Sequence, residues 1–305
     1  MNNRIRRFLA TIFFFLVPFL LSAEQIETQI SSDIITVKPG EILYAEGNVV
    51  AQHGKNKIKA ASLEFNQKTN EIKFTDLWNG YGVFTTMRVI GKSANILFFK
   101  AHLDNLVKSL KIYKIYKKNL RKNIVKLIRL NLKKNKNYDH LLRVASNNKI
   151  ISISLRKRPI PKSNFKLKLV NYKRVDAAYK NLKYKKILKI LSKLDVTKFD
   201  IALYKGNKIL ETGTSNLLFV KSNKIFSPNK DCYKGTTIKF FRKKVKINFK
   251  NIFIKDINSF DEILVVGSGK GIVSVSSIDN NLWKRKSLKV FNKLLKMYKS
   301  ETKKN

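Results

Sequence analysis

Cysteine is almost absent: Cys232 is the single one in 305 residues. A lone thiol excludes an internal disulfide framework and any metal site built on several cysteines. Histidine is nearly as scarce, and His53, His102 and His140 are too few for a histidine-rich zinc centre. Acidic residues are the next shortage, 20 against 64 Lys and Arg, for a formal net charge of +44. Such a balance raises nucleic acid as a partner, because clustered lysines release counterions from a phosphate backbone. Here the lysines are spread along the C-terminal part among abundant Ile and Asn, with no basic tail, Gly-Arg repeat or aromatic RNA-binding signature. The charge reads as a lysine-rich solvated surface, and no nucleic-acid partner is expected.

Long apolar runs are few as well. One stands out at 8–21, interrupted only by Thr11 and Pro18; it follows the basic stretch 1–7 and ends at Leu21-Ser-Ala23. A charged start, a short apolar run and a small-residue cleavage site predict a secretory signal peptide over 1–23. The run is short for a spanning helix, so membrane contact is expected only through this signal. It argues for export to the periplasm.

The shortage of acid is uneven. Residues 24–76 carry eight acidic and six basic residues, whereas 77–305 net +43. A shift this abrupt marks a domain boundary. Within 24–76, short alternating runs at 34–37, 42–50, 58–65 and 71–74 are separated by Pro39-Gly40, His53-Gly54 and Thr69-Asn70. That pattern predicts antiparallel strands, a short all-β segment. Past Leu77 the elements mix. Strands are expected over 84–89, 150–155, 165–170, 200–204, 216–220 and 263–266. Helices are expected over 102–113, with Leu103, Leu106, Val107 and Leu110 on one face, near 118–132, and over 179–194. The fold class is α+β, and there is chain enough to bury a sizeable core in one or two domains.

Six segments carry the chemistry. In order they are Gly80-Tyr-Gly-Val-Phe-Thr-Thr-Met-Arg-Val89, His102-Leu-Asp-Asn-Leu106, Lys180-Asn-Leu-Lys-Tyr184, Glu211-Thr-Gly-Thr-Ser-Asn-Leu217, Lys234-Gly-Thr-Thr237 and Val266-Gly-Ser-Gly269. Each alone is an ordinary turn or strand end. Together, in this order, they resemble the class-IV aminotransferase family of fold-type IV pyridoxal-phosphate enzymes over 78–305. That family includes aminodeoxychorismate lyase and the D-amino-acid and branched-chain aminotransferases. The resemblance implies a small α/β domain over 77–160 and a large cofactor-binding domain over 161–305. It implies that Lys180 forms the Schiff base with pyridoxal 5'-phosphate and shuttles protons, as a lysine of lowered pKa can. Glu211 would sit under the pyridine nitrogen, with Ser215 and Asn216 ordering the turn beneath. Gly235, Thr236, Thr237 and Ser268 would supply the N–H groups and hydroxyls that hold phosphate. Tyr184 counts with the cofactor-binding residues, and Arg88 would grip a substrate carboxylate. The family also implies a homodimer and a cytoplasmic enzyme.

The departures from the family are informative. Asn105 stands where the family usually has an arginine at the cofactor phosphate, and Lys108, one turn on, is the expected substitute. The strand pair that normally precedes the Gly80 motif is replaced by residues 24–76, so the small domain reads as incomplete and N-terminally truncated. The wording Ala45-Glu-Gly-Asn-Val-Val50, Ile58-Lys-Ala60 and Phe65-Asn-Gln-Lys-Thr-Asn70 resembles instead the organic-solvent-tolerance family of periplasmic β-jelly-roll modules that carry lipopolysaccharide. The reading is therefore an enzyme fused, or artefactually joined, to a secreted β fragment. The competing one is a non-enzymatic fragment of lipopolysaccharide transport. Among enzymes, the Phe84-Thr-Thr-Met-Arg-Val89 wording favours aminodeoxychorismate lyase, which releases pyruvate and 4-aminobenzoate for folate. A D-amino-acid-type aminotransferase is the alternative, and the short Lys180–Tyr184 spacing disfavours the branched-chain type.

Overall fold

The computed structural model describes residues 28–303 other than 33, 39–41, 54–55, 67–70, 76, 134–135, 149 and 280–281. The signal expected over 1–23 lies outside the described residues. The chain divides into two compact units: residues up to Leu77 with Ser152–Ser154, and Trp78–Ile151 with Leu155–Asn305.

The first unit is all β, as its alternation predicts. Strands β1 (Thr28–Ser31), β2 (Ile34–Lys38), β3 (Ile42–His53), β4 (Asn56–Asn66) and β5 (Glu71–Thr75) form one antiparallel sheet. Strand β3 is its hub, pairing with β1, β2 and β4. The β3–β4 register shifts between Glu46 and Val49, where Gly47-Asn48 supplies the flexible residues a bulge uses.

The second unit opens with β6 (Val83–Gly91), β7 (Asn95–Ile96), α1 (Phe99–Ile112), α2 (Leu120–Asn131) and β8 (Tyr138–Ser146), followed by β9 (Ile151–Lys157), whose Ser152–Ser154 are counted with the first unit. The strands make a sheet in the order β7-β6-β8-β9. Helix α1 buries Leu103, Leu106 and Leu110 of the stripe read from the sequence, leaves its Val107 half-buried, and packs against β6. Helix α2 buries Leu120, Ile124 and Ile128 at four-residue spacing.

Two further sheets follow. One contains β10 (Lys166–Asn171), β11 (Phe199–Lys205) and β12 (Lys208–Thr212), with α3 (Lys185–Leu191) between β10 and β11 in sequence. The other contains β13 (Asn216–Lys221) and β14 (Lys224–Pro228), then α4 (Thr236–Arg242) and β15 (Ile247–Lys250). The two-residue β16 (Ile252–Phe253) pairs with β12. Strands β17 (Glu262–Gly267) and β18 (Gly271–Ser274) complete the five-stranded sheet, order β15-β14-β13-β17-β18. The short β19 (Ser277–Ile278) and β20 (Trp283–Lys284) complete the six-stranded one, and α5 (Lys289–Lys303) ends the fold.

Near-continuous apolar runs in β13 and β17 follow from burial on both faces. Leu217 and Phe219, with Ile263 and Val265 beside them, join Phe165, Leu167 and Ala202 of the facing sheet in one core. Leu218 and Val220, with Leu264 and Val266, point the other way onto Ile238 and Phe241 of α4 and Val290 and Leu294 of α5. Glu262, buried at the start of β17, accepts N–H bonds from Val290 and Phe291, both at 2.8 Å, and so ties α5 to the sheet.

One expected element is corrected. The helix predicted over 179–194 is confined to Lys185–Leu191. Ahead of it the chain is extended, bonded to the start of β6: Leu182 N–H donates to the Gly82 carbonyl at 2.9 Å, Phe84 N–H to the Lys180 carbonyl at 2.8 Å, and Asn79 N–H to the Leu182 carbonyl at 2.8 Å. These bonds take the backbone groups that a helical turn would need.

Candidate functional site

The same bonds present Lys180. Held by backbone on both sides, its side chain turns toward the junction of β6, the loop after β14 and the β12–β13 turn. Gly82 makes the close approach possible, since a Cβ there would stand 2.5 Å from the Ser146 carbonyl oxygen. The Lys180 ammonium lies 5.0 Å from the Phe84 ring centroid and 5.9 Å from that of Tyr233. Burial first, and the charge of Arg174 next, push its pKa down to about 8. Glu211 works the other way without cancelling them.

Glu211 ends β12 and is buried. Its Oε1 accepts the Arg174 Nε–H at 2.6 Å, and its Oε2 accepts the Tyr233 backbone N–H at 3.1 Å. The side chains of the pair are only 2% and 6% exposed, so the ion pair is sealed from water. Burial raises the Glu211 pKa, and Arg174 opposes that rise by favouring the carboxylate. Arg174 also donates to the carbonyls of Ala177 (2.8 Å) and Tyr179 (3.0 Å), which anchors the segment leading to Lys180.

The turn after Glu211 is built from its own hydroxyls and amides. Ser215 N–H donates to Thr212 Oγ1 at 2.8 Å. Buried Asp200 accepts the Thr212 and Thr214 hydroxyls at 2.9 and 2.8 Å and faces Lys270 Nζ at 3.1 Å. Asn216 links the turn to the next wall: its Nδ2 donates to the Tyr233 carbonyl and its Oδ1 accepts the Gly235 N–H at 3.0 Å. The Tyr184 hydroxyl donates to the Gly213 carbonyl.

Opposite lies a wall of hydroxyls. His102 of α1 is within 2.9 Å of Thr85 Oγ1 through Nδ1 and 3.0 Å of Ser268 Oγ through Nε2. Burial, with the Lys180 charge second, drops the His102 pKa to about 3, so the ring stays neutral, one nitrogen donating and the other accepting. Thr236 Oγ1 stands 3.5 Å from His102 Nδ1. Thr237 Oγ1 is buried and has no hydrogen-bond partner among the described residues. Gly235 and Gly267 keep the floor bare, since a Cβ would stand 2.9 Å from Asn216 Oδ1 at the first and 2.4 Å from Ser215 Oγ at the second.

Nine of the residues singled out from sequence therefore line one cavity: Lys180, Tyr184, Glu211, Ser215, Asn216, Gly235, Thr236, Thr237 and Ser268. Arg88 does not. Its Nε donates to Asp139 Oδ1 at 3.1 Å, and Arg158 grips the same carboxylate at 2.7 and 2.9 Å, so Arg88 is committed to fastening β6 rather than facing a substrate. At Asn105 a second lysine joins the expected Lys108. Lys239 Nζ donates to Asn105 Oδ1 at 3.0 Å, while Asn105 Nδ2 reaches Thr236 Oγ1 at 3.4 Å. Sequence reasoning missed Arg174, Tyr233, Thr85 and the role of His102. His102 lies in one of the six segments, but Arg174 is one base among many.

A cavity that joins a desolvated lysine amine, a buried carboxylate and a phosphate-sized set of hydroxyls defines a class. Residues 82–278 match the model of the amino-transferase class IV family, and the chain belongs to that family of pyridoxal-phosphate enzymes. No curated protein matches the chain in sequence. Among solved structures, a putative 4-amino-4-deoxychorismate lyase from Legionella pneumophila is 19% identical, with a TM-score of 0.59 over 75% of this chain and 97% of that one. A branched-chain aminotransferase from Thermoproteus uzoniensis is 18% identical, with a TM-score of 0.61 over 80% and 91%. The Escherichia coli branched-chain aminotransferase is 16% identical, with a TM-score of 0.62 over 73% and 85%. At these identities the likeness is one of fold, the α+β fold of type IV.

The residues present fit pyridoxal phosphate. Thr237 Oγ1 is an orphaned buried donor, two glycines leave bare backbone where a flat ring or phosphate needs room, and the donor set offers three hydroxyls, one amine and one carboxylate.

Proposed function

We propose that this chain binds pyridoxal phosphate on Lys180 and acts on a small amino-acid substrate, as an aminodeoxychorismate lyase-like enzyme or a D-amino-acid-type aminotransferase. The single observation that carries the reading is the enclosed Lys180 amine, pushed down to about 8, in one cavity with the Arg174–Glu211 pair. The Phe84-Thr-Thr-Met-Arg-Val89 wording and the short Lys180–Tyr184 spacing favour the lyase. When bound, the cofactor supplies an aldehyde for covalent attachment and an electron sink for the substrate α-carbon.

The protein does the rest. Lys180 is a nucleophile in its neutral form, and burial makes that form accessible near neutral pH. As a free amine, Lys180 would be able to take and return a proton at the substrate α-carbon. Glu211 keeps unused lone pairs beyond those given to Arg174 and Tyr233, and so can accept from a protonated ring nitrogen. Thr236, Thr237 and Ser268 would hold the phosphate as donors, with neutral His102 fixing the Ser268 hydroxyl. Phe84, whose ring centroid lies 5.0 Å from the amine, packs edge-to-face against Trp78 and Tyr184 and shields that side of the amine.

The test is borohydride reduction of the full chain after incubation with pyridoxal phosphate, followed by peptide mapping. Label on Lys180 is expected. Label on other lysines, or folded protein that takes none, refutes the assignment.

A further inference from the structure

A second cavity, of about 550 Å³, lies on the other side of Tyr233 and is lined by Lys108, Lys173, Lys234 and Lys239 together with Asn105. Two of these lysines are already committed. Lys173 pairs with Asp231 at 2.7 Å, and Lys234 donates to the Pro228 carbonyl. Lys108 and Lys239 share this lining with two carboxylates, Asp176, which accepts the Tyr113 hydroxyl at 2.7 Å, and the Lys173-paired Asp231; the Lys239 pKa is lowered by burial and then by the charge of Lys108. The Lys108 charge disfavours the Lys239 ammonium, and an anion beside the two relieves that cost.

The position of that anion is marked from the other side. Asn105 joins the two cavities, with its Oδ1 on Lys239 (3.0 Å) and its Nδ2 toward Thr236 Oγ1 (3.4 Å). Next to Thr236, the Thr237 hydroxyl is buried, lines the first cavity and has no partner among the described residues. A hydroxyl without a partner among the described residues on one side and an ammonium on the other, bridged by one amide, mark a place for an oxyanion.

We propose that Lys239, aimed by Asn105 and supported by Lys108, supplies the positive charge for the phosphate group held at Thr236, Thr237 and Ser268. This rests on the pyridoxal-phosphate reading and adds the source of its phosphate affinity. The side chain of Asn105 is a spacer rather than a ligand: it is neutral, and its carbonyl is occupied by the ammonium. A lysine in this role acts as a point charge without bidentate geometry, so it attracts the phosphate from the solvent side while the hydroxyls set its orientation.

The experiment compares the full chain with Lys239→Gln, titrating pyridoxal phosphate, pyridoxal and inorganic phosphate, with borohydride mapping of Lys180 in both proteins. Lys239→Gln lies at the surface and should fold. It is expected to weaken pyridoxal phosphate and inorganic phosphate by about tenfold or more. It should leave pyridoxal, which lacks the phosphate, unchanged. Adding Asn105→Arg to Lys239→Gln should restore phosphate binding by returning a cation to the same spot. Equal affinities for pyridoxal phosphate in both proteins, with Lys180 labelled in each, overturn the role of Lys239 and leave the cofactor assignment standing. A loss that extends equally to pyridoxal shows a general disturbance and also overturns it. Absence of Lys180 labelling in the unaltered chain defeats both.

Discussion

Replacing Arg174 by methionine tests the centre of the site. The substitution keeps most of the side-chain volume and removes the charge that faces Glu211 at 2.6 Å. Glu211, 6% exposed on its side chain, is then left with the Tyr233 N–H as its neighbouring donor. Breaking a buried pair from one side costs roughly 3–5 kcal/mol, because the remaining charge is stranded. For a folded unit of this size that corresponds to a fall in Tm of about 6–20 °C. The pair is asymmetric. After Glu211→Gln, Arg174 still holds the Ala177 and Tyr179 carbonyls, so that variant should lose less. The double variant Arg174→Met, Glu211→Gln strands no charge and should recover part of the loss, which a double-mutant cycle measures directly. Urea unfolding followed by circular dichroism, with the slope checked for constancy, gives all four values. If Arg174→Met stays within about 1 kcal/mol of the unaltered chain, water reaches the pair and the sealed-site account is wrong.

Two further outcomes follow from geometry. Because the folded-state pKa of His102, about 3, lies below its ordinary value of 6.5, the folded protein binds its proton less readily than the unfolded chain. Its contribution is present above about pH 6.5 and is lost as pH falls, by about 2–3 kcal/mol on reaching pH 4.5. His102→Gln should flatten this part of the stability curve, and parallel curves for the two proteins would show the ring to be free to protonate. Gly82→Ala should destabilise by about 1–3 kcal/mol, since its Cβ would meet the Ser146 carbonyl at 2.5 Å and that backbone belongs to β8. The strand shift it forces should also slow reductive labelling of Lys180, and an unchanged labelling rate would separate Lys180 from the β6 contact.

Much of the fold was legible in the chain because its period was clean. The stripe Leu103, Leu106, Val107, Leu110 announced α1, and the apolar runs at 216–220 and 263–266 announced the strands β13 and β17. The error at 179–194 has a specific cause. Leu182, Ile187 and Leu191 fit a helical stripe, yet Leu182 is buried from an extended segment whose amide and carbonyl are both taken by the Gly80 motif region. Periodicity reports which residues are buried, and two different backbones can bury the same set. The two-residue strands β7, β16, β19 and β20 are too short to leave any period at all.

The site shows a different limit, set by charge. Reading an arginine's role from the chain requires knowing which carboxylate it meets, and with 64 bases the candidates are too many. Arg88 sits in a motif and fastens a strand; Arg174 sits in none and closes the active cavity. The scarce residues carry more information. Asp200, Glu211 and Glu262 are acids with exposures of 0%, 5% and 1%. A buried acid in so basic a chain must be heavily partnered or it would not stay charged. Each of the three organises one structural joint. Asp200 holds the Thr212–Thr214 turn and Lys270 together, Glu211 ties Arg174 to Tyr233, and Glu262 fixes the start of α5. Two of those three joints are walls of the same cavity. In a chain this short of acid, following the carboxylates to their partners leads to the site more directly than sorting the lysines, and it also leads to Arg174, which the order of motifs left out.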